Sequence, residues 1–382
     1  MNPARPVRRR CVRVRRSPHL VTYWHGASML VCNYATRVTT EASPLVCELL
    51  HACNGWRTLA DIRAVTAAGG QLLPDFIERL VSLTLLEQSD RPVDPRTRAM
   101  TSLDAWNPEV GFFHSATKDV HFWSQREKRR LAATTAAQPR MPSPIKQYRG
   151  AAAIRLPPPA MNTPFADVLL ARRTSRRYSS APVTSGEFAT ILALSVGVQH
   201  WAITAAGEVP LKTSPSGGAR HPIECYVVVR SVDGLKAGIY HYRADRHVLE
   251  RIRGPVPLKR MRAYVPQSGY FASASAMVFF TAVFERQLWR YPYSRAYRAA
   301  LIEAGHVCQT FLLAATSLGL APYCVLGLAD TLVEQDLGID GIAESVLYCA
   351  GVGRPPRGTQ SASLTRGSLS VRPNPHLRTQ KH

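Results

Sequence analysis

Between residues 43 and 86 the apolar positions fall at helical spacing three times in succession. Ser43-Pro44 supplies a helix start with proline at the first helical position, and Leu45, Val46, Leu49 and Leu50 follow along one face. Asn54-Gly55 ends that helix. Thr58 caps a second, carrying Leu59, Ile62 and Val65 and closed by Gly69-Gly70. Pro74-Asp75 opens a third with Phe76, Ile77, Leu80, Val81 and Leu83, followed by the short apolar stretch Thr84–Leu86. Ahead of them, His19–Val31 mixes β-forming and apolar residues. Three short helices beside a small β element predict a winged-helix-like module over 19–90. It holds no acid–base pair and no metal-ligand set, so binding or packing is its expected task.

Residues 91–164 form a connector. Trp106, Phe112, Phe113, His114 and Trp123 predict an ordered part packed on the rest, and Ala132–Pro159 is rich in Ala and Pro, as extended linkers are. From 165 to 357 the pattern tightens. Helical spacing runs through Val168–Ala171 and Glu187–Ser195, and Cys225–Arg230 and Ala276–Phe284 read as buried strands. Ile239–Tyr242 and Val248–Ile252, parted by Arg243–His247, predict a hairpin. Tyr297–Leu320 is apolar nearly all round, which suits the middle of a domain or a subunit interface. Helices and strands alternate without a βαβ rhythm, so the fold class is α+β.

Composition changes this picture only at the ends. Of the net charge of +22, thirteen units lie in residues 1–17 and from Arg354 onward, where no acid occurs. The segments 1–18 and 358–382 are expected to be solvated, disordered basic tails. They offer few aromatic rings for stacking bases, so nucleic acid is not the expected partner. No run of 18 apolar residues predicts a membrane span, no apolar signal region follows the N-terminal arginines, and eight cysteines without a CxxC pair suit a reduced, cytoplasmic protein.

Two segments carry candidate chemistry. Arg172-Arg173-Thr174-Ser175-Arg176-Arg177 gathers four guanidinium groups and two hydroxyls at a helix end, a set suited to phosphate. Thr213–Arg220 holds Gly217-Gly218, where backbone can approach a planar ligand and present N–H groups. Taken alone, the first is equally a solvated basic turn and the second a simple loop. Glu303 and His306, spaced (i, i+3), read as a polar pair within a helical core rather than as metal ligands, and no metal is expected.

The order of these segments resembles the nitroreductase superfamily, and within it the SagB-type branch associated with maturation of ribosomal peptides. The likeness runs from Phe165 to Pro356. It rests on the Arg-rich turn, on Pro215–Glu224, Gly238–Tyr242, Trp289–Tyr291 and Tyr297-Arg298, and on Glu303–His306, Leu318–Leu320 and Gly351–Gly353. The resemblance implies FMN at the interface of a homodimer. It places Arg172, Arg173, Thr174 and Arg176 on the phosphate and ribityl side, Pro215, Ser216 and Gly217 near the flavin ring, and Leu326-Gly327 near flavin N5. Sequence physics alone shows only a turn at Leu326-Gly327. The branch carries a Lys-Tyr pair where this chain has Arg290-Tyr291. Arginine keeps its proton and cannot be a general base, so Tyr291 is the acid–base candidate, with Arg290 supplying positive charge beside it.

The function these features imply is FMN-dependent oxidation of azoline rings to azoles in a ribosomal peptide. The N-terminal module would hold the peptide or a peptide-modifying partner enzyme. Two readings compete: an NAD(P)H-dependent nitro, quinone or flavin reductase, which shares every flavin residue named, and a peptide-binding scaffold without turnover, which the loss of Lys at Arg290 favours.

Overall fold

The computed structural model describes residues 12–66, 73–122, 161–205 and 207–357, with short pieces of 126–159. Gly69-Gly70, Trp123, most of the Ala/Pro-rich stretch and the segments 1–11 and 358–382 lie outside the described residues.

The N-terminal part runs β1 (Arg13–Arg16), β2 (Leu20–His25), β3 (Ser28–Asn33), β4 (Val38–Glu41), α1 (Pro44–Ala52), β5 (Arg57–Thr58), α2 (Leu59–Val65), α3 (Leu73–Ser82) and β6 (Leu86–Gln88). The helix starts follow local chemistry. Ser43 accepts a hydrogen bond from the Val46 N–H, and Thr58 forms a capping box with Asp61. Strand β1 is the centre of an antiparallel β5-β1-β6 sheet. The module therefore begins before residue 19, inside the stretch expected to be a tail. Arg13–Arg16 is ordered because its backbone pairs on both sides, Val14 enters the core with Leu49, Ile62 and Leu80, and Arg15 meets Glu87 at 2.7 Å.

The connector helices α4 (Pro95–Thr101) and α5 (Pro108–Ala116) share the core of the larger unit. Trp106 stacks edge-on to Tyr297 and Phe284, and buried His114 reaches the Tyr297 hydroxyl at 3.2 Å and the Gly341 carbonyl at 3.0 Å. Burial holds the His114 imidazole near a pKa of about 4, so it is neutral in this role. Phe113, by contrast, is exposed.

The larger unit adds α6 (Pro164–Ala171), α7 (Ser185–Ser195), the hairpin β7 (His200–Thr204)–β8 (Gly207–Leu211), β9 (Ile223–Val229), β10 (Gly238–Arg243), β11 (Val248–Arg253) and α8 (Leu258–Tyr264). It continues through β12 (Ala276–Val283), α9 (Phe284–Arg290), α10 (Ala296–Ser317), β13 (Ala321–Val325), α11 (Asp330–Leu337) and β14 (Glu344–Gly353). Six strands form one antiparallel sheet in the order β11-β10-β9-β12-β14-β13. Its two faces bury alternate residues. Val227, Val229, Val278 and Phe280 pack toward α7 and α10, while Tyr226, Val228, Met277 and Phe279 pack with Tyr264, Phe271 and Tyr323. Burial on both faces explains why β9 and β12 read as unbroken apolar runs. Mixed helices and an antiparallel sheet make the fold α+β, as expected.

Among the described residues, α10 alone has the length and apolarity of a membrane span. Here it is a core helix, with Ala300, Glu303, Ala304, Val307, Cys308, Phe311 and Leu312 turned inward. Its outer stripe carries Leu301 and Ile302, 41% and 60% exposed, one turn from an open Gly305.

Candidate functional site

The loop between β8 and β9 is tied down at several points. Thr213 donates to the Leu194 carbonyl at the end of α7, and the Ser214 hydroxyl meets that of Thr310 on α10 at 3.0 Å. A 3₁₀ turn over Gly217–Ala219 follows, with Gly218, Ala219 and His221 all at positive φ (61°, 53° and 42°). Two non-glycine residues in the left-handed region within three positions are strained, and such strain persists where surrounding contacts enforce it. One of those contacts is the His221 N–H, which donates to Ser216 Oγ at 2.8 Å.

Helix α9 supplies the opposite wall. A Cβ placed on Gly217 would lie 3.3 Å from Tyr291 Cε2, and one on Gly218 would lie 3.2 Å from the Tyr291 hydroxyl and 3.5 Å from Arg290 Cγ. Side chains at 217 and 218 would thus crowd the tyrosine ring. The Arg220 guanidinium lies 5.0 Å above the Trp289 ring and closes the wall. The sequence-predicted residues Pro215, Ser216, Gly217, Arg290 and Tyr291 therefore meet in one place.

Arg172, Arg173, Thr174 and Arg176 lie along β13, the strand that leads to Leu326 and Gly327. The turn after α6 runs beside β13, with the Ser175 N–H donating to the Pro322 carbonyl at 2.9 Å. The Cys324 thiol on that strand is pulled below its usual range first by Cys308, then, against burial, by Tyr348 and the Arg172 guanidinium. Arg173 folds back on the carbonyls of Leu170 and Arg172, and Arg176 donates to the Tyr270 hydroxyl at 3.4 Å. Leu326, 73% exposed, and Gly327 continue directly from β13. Phe122 from the connector lies against Gly327, 3.2 Å from where a Cβ would stand. The glycine-bearing loop leads into β9 and α9 leads out of β12, whereas the basic turn lies beside β13, with β14 between β12 and β13.

Beneath the glycine-bearing loop lies a set of polar groups that the sequence reading did not assemble. Glu303 is 3% exposed and Gln287 1%. Gln287 Nε2 donates to Glu303 Oε2 at 3.3 Å, and His221 Nδ1 stands 3.7 Å from Oε1. Burial lifts the Glu303 carboxyl to about 7, against the opposing pull of Ser216, Lys212 and Gln287. Burial also drives His221 down to about 4, helped by the charge of Lys212. At neutral pH the imidazole is uncharged, so the 3.7 Å contact is no ion pair. Glu303 and His306 do not form the pair their spacing suggested, because Glu303 faces this recess while His306 is exposed. One signal was available: a carboxylate among Ala300, Ala304 and Val307 on the buried stripe.

The raised Glu303 pKa has a consequence for stability. The folded chain binds this proton more tightly than the unfolded one, so the contribution is full below about 4.5 and is lost as pH rises through about 7. By pH 8 the loss is about 3 kcal/mol. Glu303→Gln should flatten that fall, and urea midpoints at pH 5 and pH 8 for both proteins measure it. Parallel pH dependence in the two would contradict the assignment.

The nitroreductase family model matches residues 169–354. The nitroreductase-family protein MJ1384 of Methanocaldococcus jannaschii is 35% identical over 173 residues, which cover 45% of this chain and 83% of that protein. The trifolitoxin-processing protein TfxB of Rhizobium leguminosarum bv. trifolii is 37% identical over 148 residues, 37% of this chain and 39% of TfxB. The microcin B17-processing protein McbC of Escherichia coli is 31% identical over 134 residues, 33% of this chain and 48% of McbC. The chain thus spans less than half the length of these two peptide-processing relatives, and most of the length of MJ1384. With the matched region coinciding with the sheet, α10 and both residue groups, the chain belongs to the nitroreductase family of oxidoreductases.

Proposed function

We propose that this chain is an FMN-dependent dehydrogenase of the SagB-type branch that oxidises azoline rings to azoles in a ribosomal peptide. The observation that carries the reading is Tyr291, whose hydroxyl lies against the Gly217-Gly218 backbone at the wall of a strained loop. The likeness to TfxB and McbC, both named for processing peptide toxins, supports the substrate class.

The residues present suit FMN. Arg172, Arg173, Thr174 and Arg176 offer cations and a hydroxyl for a phosphate and ribityl chain, and the exposed Gly217-Gly218 backbone offers N–H groups to a flat ring with Pro215 and Ser216 at its edge. Leu326-Gly327 would bring backbone to the ring's other side. Bound FMN supplies the two-electron redox chemistry; the protein orients the substrate ring and moves its proton. In this reading Tyr291 takes the proton from the azoline, with the Arg290 guanidinium beside it.

A homodimer follows from the same reading. The basic turn beside β13 and the glycine-bearing loop before β9 belong to different strands of the sheet, and in this reading the site draws them from two copies. Unpartnered apolar surface supports this: α6 buries none of its residues and exposes Phe165, Leu169 and Leu170, and Ile203 on the β7–β8 hairpin is 92% exposed. The outer stripe of α10 adds Leu301 and Ile302. Peptide binding falls to the N-terminal module, where an open groove of 780 Å³ between β1, β2 and α1 combines Leu20, Met29 and Trp56 with Arg16 and His51. All seven described cysteines are free thiols, in keeping with a cytoplasmic protein.

Native mass spectrometry tests cofactor and assembly together. The expected species is twice the 42.2 kDa chain with FMN bound, and heat denaturation should release FMN rather than FAD. A flavin-free monomer, or release of FAD, would overturn the reading. The second reading, an NAD(P)H-dependent nitro or quinone reductase, is favoured by the coverage of MJ1384. Flavin reduction by NADPH at a rate indifferent to azoline peptide would decide for it.

A further inference from the structure

The recess under the glycine-bearing loop is more than a packing detail. Glu303 is a carboxyl almost wholly removed from solvent, yet its Oε1 has no hydrogen-bond partner, and neither has Oε1 of the neighbouring Gln287. Buried acceptors left open in this way are uncommon and costly. They become reasonable if the carboxyl carries a proton for part of its working life. The Ser216 hydroxyl, on the loop that faces Tyr291, lies against Glu303. On the other side stands Lys212, half-buried, whose charge acts on Glu224 and on Glu303. Glu224 holds Arg286 at 2.5 Å and His241 at 2.9 Å, and His241 in turn meets Glu250 at 3.1 Å. Glu250 is exposed. Ser216 thus flanks Glu303 toward the loop, and the charge of Lys212 links it electrostatically to the Glu224 cluster.

We propose that Glu303 is the proton relay of this site, receiving through the Ser216 hydroxyl the proton taken from substrate at Tyr291 and releasing it toward solvent past Lys212 and Glu224. The inference rests on the oxidoreductase reading above. The balance is simple. A two-electron oxidation of the substrate ring sends a hydride to the flavin and leaves one proton. Tyr291 accepts that proton as it gives its own to Ser216 through a bridging water, Ser216 passes its hydroxyl proton to a Glu303 oxygen, and the carboxylate ends as a carboxylic acid. Both hydroxyls are restored, and the turnover closes when Glu303 loses the proton to water.

The groups facing Glu303 set its working range. Lys212 and Ser216 favour the charged form, Gln287 donates to it, the neutral imidazole of His221 adds no charge, and burial opposes ionisation. A carboxyl poised near 7 exchanges its proton readily at physiological pH.

Infrared titration of the carboxylic C=O band tests this with no need for flavin or substrate. Wild type should show a buried acid band that fades with a midpoint near 7, and Glu303→Gln should lack it. In turnover, wild-type kcat should rise through the same pH range. Glu303→Gln should be about tenfold or more slower and flat with pH, with KM and flavin content unchanged, and Ser216→Ala should lose the same limb. Absence of the titrating band in wild type, or a wild-type pH limb retained in Glu303→Gln, would overturn the relay. Should Glu303→Gln fail to fold, the wild-type titration and the Ser216→Ala profile still decide. A protein lacking FMN or inert toward azolines would count against the function proposed above, and the infrared result would remain separate from it.

Discussion

Tyr291→Phe should lower azoline oxidation by about 10²–10⁴-fold while leaving fold and flavin content as they were. The geometry makes the substitution clean. The tyrosine ring rests on Gly217 and 6.0 Å from the Tyr293 ring, and phenylalanine keeps both contacts. The hydroxyl makes no hydrogen bond within the described residues, so its removal strands no buried partner. A ring present only for packing predicts wild-type turnover in the variant. Arg290→Lys separates charge from chemistry further. Arg290 is exposed and meets Gly218 through its aliphatic stem, which lysine shares, so the variant should fold normally and keep or raise activity. Single-turnover flavin reduction by an azoline peptide, compared across the three proteins, is the measurement. Equal rates for Tyr291→Phe and wild type would remove Tyr291 from the proton transfer, and the relay through Ser216 would then begin at the substrate itself.

What could be read in advance was what local chemistry dictates. Ser43 and Thr58 announce helix starts because a side-chain oxygen satisfies a free N–H within three residues. The apolar runs at 225–230 and 276–284 announce strands because the sheet is covered on both faces. Strand β13 was harder: it contains Pro322, which is tolerated there because β13 is an edge strand with β14 as its one strand partner in the sheet. The ordering of Arg13–Arg16 was hidden by charge, since its stability comes from pairing with residues some forty to seventy positions away. The same holds at the site. Motif order pointed to Arg172–Arg176, Pro215–Gly217, Leu326-Gly327 and Tyr291, but nothing local shows that Tyr291 rests on Gly217-Gly218 while the basic turn lies beside β13. Nor does spacing show that Glu303 turns to Gln287 and His221 on other elements, while His306 turns outward. Phe122 was invisible for a related reason, as its contact with Gly327 spans some two hundred residues.

Lys118→Met should be the most damaging single change outside the site, costing about 3–5 kcal/mol. Lys118 follows α5, and its Nζ donates to both Glu334 oxygens, at 2.7 and 2.6 Å, and to the Gly341 carbonyl at 2.8 Å. The two side chains are only 10% and 5% exposed. Glu334 also accepts from the Ser345 hydroxyl at 2.7 Å and the Val346 N–H at 3.2 Å, so it cannot swing out to water without breaking the start of β14. Removing the ammonium therefore leaves a carboxylate and a carbonyl buried with no cation, and the uncompensated charge dominates the cost. Adding Glu334→Gln tests that account. The amide still accepts from Ser345 and Val346 but carries no charge, so Lys118→Met/Glu334→Gln should recover a kcal/mol or more relative to Lys118→Met alone (about 1–2 kcal/mol). Urea denaturation at pH 7 reads both differences. A Lys118→Met loss under about 1 kcal/mol would mean that the pair repays little beyond its own desolvation. The site should feel the change as well. Lys118 anchors the segment that carries Phe122, and Phe122 covers Gly327, so weaker flavin retention in Lys118→Met than in the charge-neutral double variant is the expected companion result.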